Sequence, residues 1–267
     1  SITMDGLGDY DRDAGFITGG ITVTQDTYTL TKDRGRSFLI DRMDNDETVT
    51  NVAGQVAGEF VRTKVVPEMD AYVLSMLAAK ANAKSHTVSV GSGSTLEADA
   101  YKMWQDALIK VQDAVGFGEE PLVAFVNSTF WSALNRSTAV SRQIIVSDFQ
   151  KGGVTTQVKT LDNVVLLPVQ SARMKSAFTF YDGKTDTSAS SGVNQKPGGF
   201  VPASGAKDVG LILCPKKLGG LVKKTEKVRM FSPDQYQQAD AHKIDYRLYY
   251  DFFIKKSMEN AIYAYLY

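Results

Sequence analysis

The strongest constraint on the fold is one long helical pattern over residues 51–83. Pro67 lies inside this pattern and removes one backbone donor, so we expect a kink there. At 1.5 Å per residue the helix would be roughly 50 Å long, which is more than a compact domain of this size needs. An extended molecule is therefore predicted. The apolar residues that recur with helical spacing include Val52, Val56, Phe60, Met69, Val73, Met76 and Leu77.

A β-hairpin is predicted before this helix, in residues 16–42. Strand-forming residues lie on both sides of residues 31–36, a polar segment containing Gly35 that is predicted to be the turn. The predicted arms hold few large apolar side chains, so the hairpin would need another surface to lie on.

The remaining segments predict a mixed α+β fold. Ser94 and Glu97 form a capping box before a helix that ends at Gly116, and Asn127 is predicted to begin another helix. Residues 182–207 are rich in Gly, Ser and Pro and predict a loop. Strands are predicted at 122–126, 154–160, 164–169, 209–213, 221–231, 243–254 and 261–266.

Several residue types are too scarce for common kinds of site. Cys214 is the only cysteine, so no intramolecular disulfide can form. With His86 and His242 as the only histidines, the usual four-ligand zinc sites are excluded. No apolar run approaches the ~18 residues that a membrane span needs, so no membrane partner is predicted.

The charges balance overall but are unevenly distributed. The chain has 30 basic and 30 acidic residues, which argues against tight nucleic-acid binding. Residues 1–50 carry ten acids and five bases, a net charge of −5, whereas residues 216–267 carry six acids and ten bases, a net charge of +4. In an assembly, these two regions offer complementary contact surfaces.

Motifs that resemble functional sites are incomplete. The acidic residues Asp9, Asp11 and Asp13 resemble half of a calcium loop, but Gly20 occupies the position of the bidentate glutamate. Residues 91–95 are glycine-rich but lack the lysine of a phosphate-binding loop, and His242 has no nucleophile elbow to accompany it. No catalytic, cofactor-binding or metal-binding residue is predicted, and the protein is not expected to be an enzyme.

Four segments together resemble the major capsid proteins of tailed bacteriophages. They occur in the same order as in that family and cover most of the chain. They are residues 31–43 (TKDRGRSFLIDRM), residues 44–71 with GEFVRTKVVPEMDA, residues 158–174 (VKTLDNVVLLPVQSARM) and residues 231–265, beginning FSPDQYQQADAHKIDYRLYYDFF.

The resemblance implies the α+β shell fold that tailed-phage coats share with encapsulins. It divides the chain into an N-terminal arm remnant (1–15), an extended loop hairpin (16–43), a spine helix with the first part of a peripheral domain (44–89), an axial domain (90–220) and C-terminal strands of the peripheral domain (221–267). Its implied role is structural, in pentamers and hexamers of an icosahedral shell around double-stranded DNA.

In the resembled fold, the extended loop lies across a neighbouring subunit. The predicted hairpin tip would then meet carboxylates of the neighbour, and its acidic base would lie near basic C-terminal strands. Reversing the three tip charges to Glu is expected to leave the isolated subunit folded but to weaken assembly. The candidate intersubunit contacts are Lys32, Arg34 and Arg36 at the tip and Asp41, Asp44, Asp46 and Glu47 at the base.

The implied partners are other copies of the chain, with scaffold, portal or decoration proteins as further candidates. DNA would be enclosed without specific binding, in a virion assembled in the bacterial cytoplasm. Two alternatives stay open: an encapsulin-type compartment with the same fold, and a soluble α+β hydrolase or ligand-binding protein.

Overall fold

The computed structural model describes the chain except residues 1, 11, 14, 26, 44–51, 117, 119, 138–144, 152–153 and 187–192. The described part is an α+β structure, as predicted. Its helices are α1 (Val52–Phe60), α2 (Val66–Ala83), α3 (Leu96–Val115) and α4 (Ser128–Arg136).

The strands lie mostly in two sheets. A seven-stranded sheet has the order β4-β14-β11-β5-β8-β7-β6, and a three-stranded sheet has the order β12-β13-β3. The strands are β1 (Ile2–Met4), β2 (Ile21–Val23), β3 (Lys32–Asp41), β4 (Thr87–Val88), β5 (Leu122–Asn127), β6 (Ile145–Lys151), β7 (Val154–Leu161), β8 (Val164–Val169), β9 (Phe178–Phe180), β10 (Phe200–Pro202), β11 (Val209–Pro215), β12 (Gly219–Phe231), β13 (Ala241–Ile254) and β14 (Tyr263–Leu266).

The predicted long helix is present over residues 52–83, here called the spine. Its two α-helical parts are joined by a π-helical turn, Val61–Val65, in which the Val66 N–H donates to the carbonyl of Val61, five residues back. Pro67, which has no N–H to donate, follows in the first turn of α2. The predicted disturbance at Pro67 therefore takes the form of a π-turn just before the proline.

The three-stranded sheet packs against the first half of the spine. Residues of β13, including Tyr246, Leu248 and Tyr250, are almost completely buried, and Phe60 and Met69 of the spine pack on them. The Phe60 ring meets those of Phe38 and Tyr246 edge to face, with centroid separations of 4.9 and 5.6 Å. These contacts fix strand β3 to the spine.

The predicted turn at residues 31–36 is wrong. Thr31 precedes strand β3, and residues 32–36 form its first half. This strand pairs antiparallel with β13, so that Lys32 lies opposite Tyr250 and Asp41 lies opposite Ala241. Gly35 serves a close approach between strands, since a Cβ atom there would lie 2.9 Å from the Tyr246 carbonyl oxygen. Part of the first predicted arm, Ile21–Val23, does lie in a described hairpin. Its partner, however, is the preceding strand Ile2–Met4 and not the predicted second arm.

The seven-stranded sheet carries helices on both faces. Leu211 and Leu213 of β11 pack with α3 and α4 around Trp104, whereas Ile212 and Cys214 pack with α2 on the other face. Because Cys214 is completely enclosed, burial raises the pKa of its thiol to about 12. The prediction that Cys214 is a small buried hydrophobic residue is confirmed.

Two local predictions need correction. The N-cap of α3 is Thr95 and not the predicted Ser94. The Thr95 hydroxyl accepts a hydrogen bond from the Ala98 N–H. The last strand, β14, lies in the seven-stranded sheet between β11 and β4, whereas the sequence grouped it with the other C-terminal strands. Its residues Ala264 and Tyr265 are buried there, which supplies the apolar contacts that a lone peripheral strand would lack.

Candidate assembly surfaces

The described residues contain no group of three or more His, Cys, Asp or Glu side chains that could hold a metal ion. No helix in the described part of the chain is long and apolar enough to cross a membrane. The surfaces with unusual chemistry are instead two exposed apolar regions and one amphipathic groove.

The first exposed apolar region is the N-terminal hairpin, formed by β1, β2 and residues 5–20 between them. Its loop exposes Leu7 completely, Phe16 to 90%, Ile17 to 72% and Tyr10 to 61%. The rings of Tyr10 and Phe16 contact each other with centroids 5.0 Å apart. Such a concentration of exposed apolar side chains is typical of a surface that another molecule covers.

The segment that follows the hairpin, residues 28–31, is attached to the three-stranded sheet and the spine. The buried carboxylate of Asp251 accepts hydrogen bonds from the Thr31 N–H (2.9 Å), the Thr31 hydroxyl (2.8 Å) and the Tyr72 hydroxyl (2.7 Å). Nearby, the Tyr28 ring packs on Phe253 with a centroid separation of 4.8 Å. The chain is therefore fixed at residues 28–31 while the hairpin beyond it has few contacts with the rest of the subunit.

This network changes the acidity of its members. Burial raises the pKa of Asp251, but hydrogen bonds from Tyr72, Thr31 and the Phe252 N–H outweigh that effect and hold the pKa below its ordinary value. Burial, with the hydrogen bond to Asp251, raises the pKa of Tyr72 to about 12. The network is consequently anionic at Asp251 and neutral at Tyr72 near pH 7.

We expect Asp251→Asn to cost about 1–3 kcal/mol in the free energy of unfolding at pH 7, because an amide leaves donors around it unpaired. The depressed pKa of Asp251 means that its stabilisation is present above the ordinary value of 3.8 and is lost as pH falls through the lower folded-state value. The variant should therefore lose part of the acid sensitivity of the wild type.

Urea unfolding of dissociated subunits between pH 7 and pH 3 measures both effects. Asp234→Asn is the matched control, since Asp234 is exposed. If Asp251→Asn and Asp234→Asn unfold at the same urea concentration at pH 7, the network does not stabilise the subunit.

The predicted tip cations have partners within the same subunit. Arg34 forms a two-bonded ion pair with Glu68 of the spine, Nε to Oε1 at 2.6 Å and Nη2 to Oε2 at 3.2 Å. Its Nη1 also donates to the Tyr181 carbonyl at 2.7 Å. The Lys32 ammonium lies 5.0 Å from the ring centroids of both Tyr72 and Phe180. Arg34 thus joins strand β3, the spine and residue 181, and no hairpin tip exists at this place.

The other candidate contacts are distributed differently. Arg36 is exposed and donates one hydrogen bond, 3.1 Å long, to the Lys196 carbonyl. Asp41 ends β3 and accepts from the Met43 N–H at 2.9 Å. Asp44, Asp46 and Glu47 lie outside the described residues.

A groove runs between β3, the spine and two loop segments, residues 181–184 and 197–199. Its cavity volume is about 570 Å³, within the range of sites that hold a few side chains or a small ligand. The apolar lining includes Phe38, Phe60, Val65, Met69 and Leu248. Besides Arg34, which is paired with Glu68, three further cations line the groove: Arg36, Lys64 and Lys184.

The second exposed apolar region lies on β12, the edge strand of the three-stranded sheet. This strand exposes Leu221, Val222, Val228 and Met230 to between 39% and 54%. It also carries lysines, which on edge strands oppose uncontrolled pairing with other sheets. The apolar side chains of this edge strand could therefore contact another subunit, while its lysines limit edge-to-edge aggregation of sheets.

Four lysines flank Gly219 and Gly220 in the sequence, and three of them have partners within the subunit. Lys217 pairs with Glu120 at 2.9 Å and Lys223 with Glu226 at 2.9 Å. The Lys224 ammonium lies 5.8 Å from the Tyr249 ring centroid.

Sequence reasoning did not single out Tyr10, Phe16, Glu68 or Asp251, which the structure places at the exposed hairpin and in the contacts of β3 and the segment before it. One signal for the hairpin was available, because the triplets Ile2–Met4 and Ile21–Val23 are nearly identical and flank a segment rich in Gly and Asp. No comparable signal connects Arg34 with Glu68 or Thr31 with Asp251, which the fold brings together from 34 and 220 residues apart.

No family model and no curated protein matches this sequence. Solved structures do match over nearly the whole chain. The chain from the capsid structure of cyanophage P-SCSP1u aligns with a TM-score of 0.64 and 12% identity, covering 99% of this chain and 83% of that one. A chain of Mycobacterium phage Che8 aligns with a TM-score of 0.58 and 11% identity, covering 99% and 82%.

A third match comes from the mature capsid of bacteriophage PhiM1, with a TM-score of 0.56, 12% identity and coverage of 100% of this chain and 80% of that one. At such low identities the shared property is the path of the backbone. The chain therefore has the shell fold of tailed-phage capsid proteins, as the sequence resemblance implied.

Proposed function

We propose that this protein is a structural, non-enzymatic major capsid protein that assembles into pentamers and hexamers of a closed shell. The observation that carries the proposal is the N-terminal hairpin, whose exposed rings and aliphatic side chains need a covering surface that its own subunit does not supply. The shell fold supports it, because proteins with this fold include chains of phage capsids.

We further propose that the enclosed material is double-stranded DNA, held without specific binding. The zero net charge supports this, because proteins that bind nucleic acid tightly carry a strongly basic surface, and Lys217 and Lys223 are paired with carboxylates of the same subunit. The virion is the corresponding location, with assembly in a bacterial cytoplasm and with scaffold, portal or decoration proteins as candidate partners.

The domain division stays a proposal in revised form. We assign the axial domain to the seven-stranded sheet with α3 and α4, and the peripheral domain to the spine and the three-stranded sheet. Among the candidate contacts, we retain Arg36 and Asp41 as intersubunit residues, together with Asp44, Asp46 and Glu47. Lys32 and Arg34 are better explained by their partners within the subunit.

Purified protein is expected to form rings or closed shells in negative-stain microscopy and to elute in the corresponding early fractions in size-exclusion chromatography. The physical reason is that assembly buries the apolar hairpin and the β12 edge. Nuclease-treated shells from an expression host, extracted and tested for protected nucleic acid or for a protein cargo, distinguish a DNA container from an encapsulin-type compartment. Protein that stays monomeric at high concentration, without rings or shells, would overturn the assignment.

A further inference from the structure

The groove beside β3 has a charge that the subunit does not neutralise. The carboxylates at its margin are already engaged: Asp33 with Arg247 at 2.6 Å, Glu68 with Arg34 at 2.6 Å, and Asp182 with the N–H groups of Lys184 and Thr185. By contrast, among the described residues Arg36 and Lys64 have no carboxylate partner, and Lys184 interacts electrostatically only with Asp182. All three cations are exposed, so the groove keeps an excess of positive charge. The groove therefore favours an occupant that combines acidic groups with apolar side chains.

The N-terminal hairpin has this complementary chemistry. Residues 1–20 carry four acids and one base, and Tyr10 and Phe16 are two of the four aromatic side chains exposed in the described part of the chain. Asp5 already accepts the Gly20 N–H at 2.6 Å, so the two ends of the loop are joined and its outer residues are presented together. Asp9 and Asp13 are close in sequence to the two aromatic residues.

We propose that the groove binds the N-terminal hairpin of a second copy of the chain, with Tyr10 and Phe16 over its apolar lining and with Asp9 and Asp13 facing Arg36, Lys64 and Lys184. The proposal rests on the proposed shell function and specifies one of its subunit contacts. The occupant belongs to another copy because, within one subunit, the two rings contact each other and stay exposed to 61% and 90%.

Cysteine crosslinking during assembly tests the contact. One variant carries Phe16→Cys and a second, with a size tag, carries Lys184→Cys, and the two are mixed in equal amounts under mild oxidation. The native Cys214 is buried and contributes little background. Mixed disulfide dimers should form at least about tenfold faster than with Ile109→Cys, an exposed position on α3, because docking holds the thiols at high effective concentration.

Charge exchange gives a second measurement. Lys64→Glu with Lys184→Glu should raise the protein concentration needed for assembly, and adding Asp9→Lys with Asp13→Lys should lower it again. Shells that form with crosslinking at the control rate would overturn the docking site while leaving the shell function intact. Failure of the wild type to form rings or shells would overturn the shell function and this contact together.

Discussion

Replacing Glu68 by Lys is expected to lower the free energy of unfolding of the isolated subunit by about 2–3 kcal/mol. Breaking a fully buried ion pair typically costs about 3–5 kcal/mol. We expect a smaller loss here because the side chains of Arg34 and Glu68 are 25% and 13% exposed. The substitution places two cations where one carboxylate held Arg34 by two hydrogen bonds. Urea unfolding of dissociated subunits measures the loss.

The matched control lies on the same helical spine. Glu59 and Arg62 also form a two-bonded pair, at 2.7 and 3.0 Å, but their side chains are 57% and 73% exposed. Water screens exposed ion pairs, so Glu59→Lys should change stability far less than Glu68→Lys. Equal effects of the two substitutions would contradict a special role for the Arg34–Glu68 pair.

This prediction reverses an expectation that the sequence alone supports. Changing Lys32, Arg34 and Arg36 together to Glu was expected to spare the subunit, because these residues were assigned to a detached tip. In the structure all three have partners in the same subunit, and Arg34 is held in a partly buried ion pair, so the triple variant should unfold more easily before any effect on assembly appears. Assembly defects of that variant would therefore say little about intersubunit contacts.

The parts of the fold that could be predicted are those with local periodicity. The spine, α3 and the strands of residues 209–254 each repeat apolar residues with a helical or strand spacing, and each is present. Pairing between strands that are distant in the sequence produces no such local pattern. The polar segment around Gly35 has the composition of a turn, yet its pairing with residues about 210 positions away makes it a strand.

The candidate site was harder to predict for the same reason. The groove combines strands β3 and β13, the spine and two loop segments from separate parts of the chain, so its apolar lining and its cations are neighbours only after folding. The charge asymmetry between the chain ends predicts complementary surfaces, but it assigns the basic surface to residues 216–267. The groove cations Lys64 and Lys184 come instead from the middle of the chain.

The largest effect on assembly is expected from the N-terminal hairpin. Replacing Tyr10, Phe16 and Ile17 by Ser should change the stability of the isolated subunit by no more than about 0.5 kcal/mol, because substitutions at exposed sites rarely do more. The three side chains are exposed to 61%, 90% and 72%. Light scattering and sedimentation of the triple variant should nevertheless show no shells at concentrations at which the wild type assembles.

The size of this effect follows from apolar burial. Covering one large apolar side chain contributes about 1.5–3 kcal/mol, and 1.4 kcal/mol corresponds to about a tenfold change in an association constant. Even partial burial of the three side chains thus accounts for about a thousandfold change in the affinity of each contact, repeated at every subunit of a shell. Ile109→Ser, at an exposed apolar position on α3, is the control for surface polarity. If the triple variant forms shells at the wild-type concentration, the hairpin is a solvated projection and the subunits must be held together by other surfaces, of which the exposed edge of β12 is the next to test.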